Sequence, residues 1–196
     1  TEERLHSMTF DRTLRRWAVP LAAVVLLGLS TTMVQAYVVS GPSMEGTLVM
    51  GDHILVNKLA RSPQFGDVVA FRYPVDPDEV FIKRVIGMPG DRIRIEDKQV
   101  IRNGKPLEEA YARHVTSYID SYRDNFPSEP QVTLPDTGEQ MLKNSLDQGD
   151  IVVPPGMFFV LGDNRDASLD SRYWGVVPRE NIIGCPWLVY FRGLRD

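Results

Sequence analysis

The chain has 196 residues, 43% of them hydrophobic and 24% charged, enough for one full hydrophobic core with an appendage and short for two. Its 22 basic and 26 acidic residues leave a net charge of −4, which argues against a partner held through a nucleic-acid backbone, since that grip needs a clustered cationic excess. A single cysteine, Cys185, excludes an intrachain disulfide, and with only His6, His53 and His114 besides, no Cys/His group has zinc-ligand spacing. Neither a metal nor another cofactor is expected.

At the N-terminal end, no formally charged residue stands between Arg16 and Glu45. The stretch Trp17 to Val39 has 23 residues. A helix of that length, at about 1.5 Å per residue, crosses roughly 30 Å of hydrocarbon. Arg12, Arg15 and Arg16 precede it, whereas the next basic residue is Lys58. The asymmetry predicts a cytoplasmic tail (1–16), one transmembrane helix (17–39) and an extracytoplasmic domain (40–196), a single-pass arrangement in the plasma (inner) membrane with the lipid bilayer as a partner. Trp17 and Tyr37 stand where interfacial aromatics belong. A cleaved secretory signal competes, because Val34-Gln35-Ala36 is an acceptable cleavage pattern. The apolar run continues through Tyr37-Val38-Val39, and that favours an uncleaved anchor.

Residues 40–196 carry a net charge of −5 and read as all-β. Short runs rich in Val, Ile and Phe recur between turn residues: 53–56, 68–73, 80–86, 92–96, 151–153, 157–161 and 187–191, with an Asn103-Gly104 turn among them. Seven or more short strands imply an antiparallel sandwich or barrel. Residues 108–150 break the rhythm, being polar with Pro127, Pro130 and Pro135, and are expected to form an excursion from the sheet. Within it Tyr111, Val115, Tyr118 and Tyr122 fall near helical spacing, which suits either a short amphipathic helix or a solvated loop with packed tyrosines.

Three groups bear on chemistry. Gly41-Pro42-Ser43-Met44 directly follows the apolar segment, and a Gly/Pro turn can expose a serine hydroxyl with backbone N–H groups converging near it. A nucleophilic serine needs a base. Strand alternation puts Lys83 on the apolar face shared by Phe81 and Val85 and turns Arg84 away. A lysine buried there loses hydration of its ammonium form, its pKa falls, and the neutral amine can accept a serine proton. The competing reading has Lys83 snorkelling to solvent from a strand edge. His53, oriented by Asp52, Asp67 or Asp163, would give a triad instead, though no spacing supports it. The stretch Gly162 to Gly175 concentrates Asp163, Arg165, Asp166, Asp170 and Arg172, a loop that carboxylate–guanidinium pairs can hold while presenting Ser168.

Taken together, Gly41-Pro42-Ser43-Met44 with Thr47-Leu48, the run 51–56, the run 81–91 and GDNRDASLDSRYWG (162–175) resemble the successive sequence boxes of the bacterial type I signal peptidases, or leader peptidases. The resemblance spans residues 17 to about 192. It implies a membrane-anchored serine endopeptidase with an all-β, signal-peptidase-type catalytic domain, acting on preproteins that carry signal peptides. By position, Ser43 matches the nucleophile, Lys83 the general base, and Ser168 the hydroxyl that orients the lysine amine. Asp163, Asp170 and Arg172 match buttressing loop residues, and Met44 the apolar residue after the nucleophile. Two departures are visible: Gly46, preceded by acidic Glu45, replaces the usual proline before Thr47, and Gly41 stands where many relatives carry a serine that helps bind the oxyanion.

A self-cleaving repressor of the SOS type shares a Ser/Lys sheet core, but it needs an Ala-Gly or Cys-Gly bond upstream, and none of the 15 glycines follows Ala or Cys. An anchored, non-enzymatic binding module would make Ser43 and Lys83 incidental.

Overall fold

Alternation of apolar and polar side chains gives most strands one buried face, and the chain returns on itself through glycine- and aspartate-bearing turns so that its strands pair antiparallel. The computed structural model describes Pro20 and residues 33–193. The chain divides into two units, Thr1–Gln35 and Ala36–Asp196. Nearly all of the first lies outside the described residues, as does most of the expected anchor.

The strands are β1 (Val34–Val38), β2 (His53–Asn57), β3 (Val68–Arg72), β4 (Val80–Gly87), β5 (Arg92–Glu96), β6 (Gln99–Arg102), β7 (Lys105–Pro106), β8 (Leu146–Asp147), β9 (Asp150–Val152), β10 (Met157–Leu161), β11 (Val177–Pro178) and β12 (Ile182–Phe191). Among the described residues two α-helices join them, α1 (Asp136–Ser145) and α2 (Ser171–Trp174). One sheet has the order β1-β2-β12-β3-β4-β10-β11 and the other β7-β6-β5-β9-β8. The all-β expectation holds as a mostly β, antiparallel fold, with α1 and α2 as the helical exceptions.

Two readings of the sequence are narrowed by the described residues. Val34–Val38 is a strand, so the last described residues of the expected span 17–39 are not helical. Among the described residues no helix is long and apolar enough to cross a membrane. In the excursion, residues 111–122 form no helix, whereas α1 lies further on at Asp136–Ser145. Tyr111 and Tyr122 are anchored one at a time instead: Arg84 lies over the Tyr111 ring, and the Tyr122 hydroxyl donates to the Arg172 carbonyl at 2.6 Å.

The core has three parts. Ile86, Ile93, Ile95 and Ile151 pack with Phe126, Phe159 and Leu161. Val69, Phe71, Val85, Val160 and Trp174 form a second group, and Val39, Met44, Leu48, Ile54, Val56 and Ala70 a third. At Gly87 the packing leaves no room for a side chain, because a Cβ would stand 2.9 Å from both Phe159 Cβ and Val153 Cγ2. The third group seats the turn that carries Ser43.

Candidate active site

Pro42–Met44 form a single 3-10 turn, with Pro42 supplying a preset φ at its start and the Glu45 N–H closing it on the Pro42 carbonyl. Met44 anchors the turn, being 1% exposed in the third core group. Ser43 between them faces a groove of about 270 Å³ that is also lined by Tyr37, Val39, Phe81, Lys83, Ala167 and Leu169.

Lys83 reaches the same groove from β4. Its side chain follows the expected alternation: Nζ lies 5.2 Å from the Phe81 ring centroid, and the residue is 5% exposed. Nζ and Ser43 Oγ are hydrogen-bonded at 2.7 Å. Burial drives the Lys83 pKa down from 10.5 to about 8. Asp170 opposes that fall, Arg172 adds to it, and Asp163 opposes it again. Snorkelling is therefore not what this lysine does.

Arg84, the next residue, turns the other way and grips Asp163 with Nε at 2.8 Å and Nη2 at 2.6 Å. Thr47 Oγ1 donates to the same carboxylate at 2.5 Å, so the segment after the nucleophile is tied to the loop after β10 through Asp163. Asp163 itself is fully buried. The backbone makes a second tie, the Asn164 N–H donating to the Ser43 carbonyl at 3.0 Å.

Asp170 caps α2, its carboxylate accepting from the Arg172 N–H, and pairs with the Arg172 guanidinium at 2.8 Å. Both are buried. Burial alone would push the Asp170 carboxyl up; the Arg172 charge and hydrogen bonds outweigh it and hold the pKa low. The pair thus fixes the far end of the loop that carries Ser168. Ser168 is 7% exposed, and its hydroxyl has no well-formed hydrogen-bond partner, so in this structure it does not hold the Lys83 amine as the resemblance implies. Gly162 explains how the loop comes so near: a Cβ there would stand 2.2 Å from Ser168 Oγ and 2.5 Å from the Ser43 carbonyl oxygen.

The structure therefore brings Ser43, Met44 and Lys83 to one groove, with Asp163, Ser168, Asp170 and Arg172 buried in the loop that supplies Ala167 and Leu169 to its wall. His53 lies elsewhere, its Nδ1 3.3 Å from the Tyr190 hydroxyl and its ring edge-on to Phe191. Arg84 and Thr47 are ties that sequence reasoning left out, although an arginine beside the buried lysine, on the opposite side of the strand, signalled a second charged contact. Gly46 adopts φ +103, with Arg113 packed against it so closely that a Cβ would meet Arg113 Cδ at 2.9 Å. Among the described residues no group of three or more His, Cys, Asp or Glu could hold a metal ion.

A family model described as signal peptidase, peptidase S26, matches residues 13–191. The chain belongs to the signal peptidase family. Its similarity to named members is of the same extent: 34% identity to signal peptidase I of Aquifex aeolicus, covering 92% of this chain and 85% of that one. Signal peptidase I of Bacillus caldolyticus is 37% identical over 87% of this chain and 86% of its own length. A crystal structure of a signal peptidase I from Enterococcus faecalis is 32% identical, covers 64% of this chain and 97% of that one, and has a TM-score of 0.47. The chain is thus an S26 serine peptidase, and the activity that goes with the signal peptidase family is cleavage of signal peptides.

Proposed function

We propose that the protein removes N-terminal signal peptides from exported preproteins by cutting after small residues, with Ser43 as nucleophile and Lys83 as general base. The observation that carries this reading is the 2.7 Å contact between Ser43 Oγ and Lys83 Nζ, made where burial has already lowered the lysine pKa. Once Lys83 is neutral, the Ser43 hydroxyl donates to its amine and attacks the scissile carbonyl; the lysine then protonates the leaving amine, and a water repeats the sequence to release the acyl-enzyme. The Ser43 backbone N–H is the proposed donor to the oxyanion. Ser168, between the groove-lining Ala167 and Leu169, is the proposed support for the amine from the loop side. Asp163, Asp170 and Arg172 fix that loop.

The groove suits an extended peptide. Among the described residues β10 pairs with β4 only from Arg84 onward, which leaves the edge of Val80–Ile82 open, and β1 ends the same sheet. Main-chain addition along these edges would place alternate side chains into shallow apolar walls made by Tyr37, Val39 and Phe81, so that size decides what is accepted.

Location follows the same reading. Residues 1–16 form a cytoplasmic tail, an anchor begins at Trp17 and ends before β1, and the domain from residue 40 stands on the far side of the plasma membrane, next to the cleavage sites of membrane-inserted signal peptides. Exposed Trp187, Tyr190 and Phe191 on β12, with exposed Val38 and Met50, support a face directed at lipid.

Preprotein cleavage by the detergent-solubilised full chain is the test. Ser43→Ala and Lys83→Ala each lower kcat by roughly 10⁴ or more, in the range seen when a nucleophile or its base is removed. Lys83→Arg fails equally because guanidinium stays protonated. His53→Ala retains most activity; inactivation by that change alone would replace the dyad with a triad.

A further inference from the structure

The loop after β10 has its outer side covered by one continuous stretch of the excursion. The Arg113 N–H donates to the Asp163 carbonyl at 2.7 Å, and the Arg165 N–H to the Arg113 carbonyl at 2.9 Å, a short parallel bridge beside Asn164. The Arg165 guanidinium forks onto Glu109, at 2.7 and 2.9 Å, with the two side chains only 3% and 6% exposed. Asp166, fully buried at its carboxylate, accepts from the Thr116 N–H at 2.7 Å and the Thr116 hydroxyl at 2.8 Å, and pairs with Lys98 at 3.2 Å and Arg123 at 3.3 Å. His114 Nδ1 stands 3.4 Å from the same carboxylate. Four consecutive loop residues, Asp163 to Asp166, are thus tied to or bridged with residues 98–123, and of the next three Ala167 and Leu169 line the groove with Ser168 between them.

We propose that residues 107–126 are a positioning element for the active site, acting through Glu109 on Arg165 and through Thr116, with Lys98 and Arg123, on Asp166, to hold Ala167-Ser168-Leu169 against Lys83. This rests on reading Ser43 and Lys83 as the dyad. Charge fixes the direction of hold: a bidentate carboxylate–guanidinium pair out of water sets both distance and orientation, which a single hydrophobic contact does not. Glu109 acts on the loop through Arg165 and not on Ser43 or Lys83 directly, so it is a positioning residue. Loosening it would admit water to Lys83, whose charged neighbours, Asp163, Asp170 and Arg172, all lie on or beside the loop it steadies.

The experiment compares the full chain with Glu109→Ala, Glu109→Gln and, as a control on the excursion, Glu129→Ala at an exposed site. Readouts are kcat/KM for preprotein cleavage against pH, and the titration of the Lys83 amine followed by NMR of labelled lysine. Glu109→Ala is expected to lower kcat/KM about 10- to 100-fold, the penalty of an ångström-scale misplacement, and to move both the acidic limb and the lysine titration to higher pH. Glu109→Gln, which keeps an acceptor and guards against failure of the alanine variant to fold, recovers part of the loss; Glu129→Ala behaves as the parent. A folded Glu109→Ala or Glu109→Gln that melts at lower temperature yet keeps parental kcat/KM, limb and Lys83 titration would overturn the proposal. A parent chain that cleaves no preprotein would instead remove the functional reading, while the Lys83 titration in the Glu109 variants would still report whether the segment positions the loop.

Discussion

Lys83 lowers the stability of the domain in order to be useful. Its pKa falls from 10.5 to about 8 on folding, so between these values the unfolded chain binds more protons and stability rises with pH; below about 8 the full penalty is present. At about 1.4 kcal/mol per pKa unit, that penalty is of the order of 3 kcal/mol. Lys83→Met, similar in volume and without the charge, is therefore expected to stabilise the fold by about 1–3 kcal/mol at neutral pH, after allowing for the lost hydrogen bond to Ser43, while abolishing activity. Denaturant unfolding at pH 7 checks the sign; a destabilised Lys83→Met would mean that the lysine is not held at a loss. Gly41 is the second residue of interest. It has φ −143, and no atom lies within 4 Å of where its Cβ would be, so Gly41→Ser fits without strain. Kinetics of Gly41→Ser and Ser40→Ala test the oxyanion site: the first is expected to fold normally and raise kcat, and the second to lose much less than the roughly 10²-fold that removal of an oxyanion donor causes.

At the scale of elements, the turn after the nucleophile explains one departure from the family pattern. Gly46 sits at φ +103, beyond reach of proline, whose ring holds φ near −65°, and the excursion's Arg113 fills the space above it. Gly46→Pro, which restores the usual residue, is expected to destabilise the domain by about 3 kcal/mol or more and to lower activity. A thermal melt beside a cleavage assay decides the matter. The strands were legible because alternation and β-branched residues carry their own signal, and β5 and β10 fall on the expected residues. The helix was not. In α1 only Gly138, Met141 and Ser145 are buried, too few apolar residues to write a helical period. Its start signals, Pro135 before Asp136 and Glu139, stood in a stretch whose prolines pointed to loop. The β5–β6 turn was equally quiet, since Asp97 and Lys98 take positive φ without glycine or asparagine between those strands. At the site, Ser43 and Lys83 were legible as a serine in a Gly/Pro turn and a lysine on an apolar face. The ties of Glu109 to Arg165 and of Lys98 and Arg123 to Asp166 were not, because pairing across 43 to 68 positions leaves no local pattern.

For the whole molecule, the sheet that carries Lys83 also includes β1, which stands directly before the Ser43 turn in the chain. The bond after Ala36 lies inside β1, an extended segment within the chain's own sheet. N-terminal sequencing of membrane-extracted protein is expected to find residues 1–36 retained, whereas Tyr37 as the first residue would make the segment a removed signal. Ser43 activated by a neutral Lys83 is the claim on which the rest depends. It is tested most directly by the pH dependence of kcat/KM for preprotein cleavage, measured on the parent and on His53→Ala. The acidic limb is expected near pH 8 in both, with activity falling as Lys83 takes up its proton. A limb near about 6.5 that disappears in His53→Ala would contradict it.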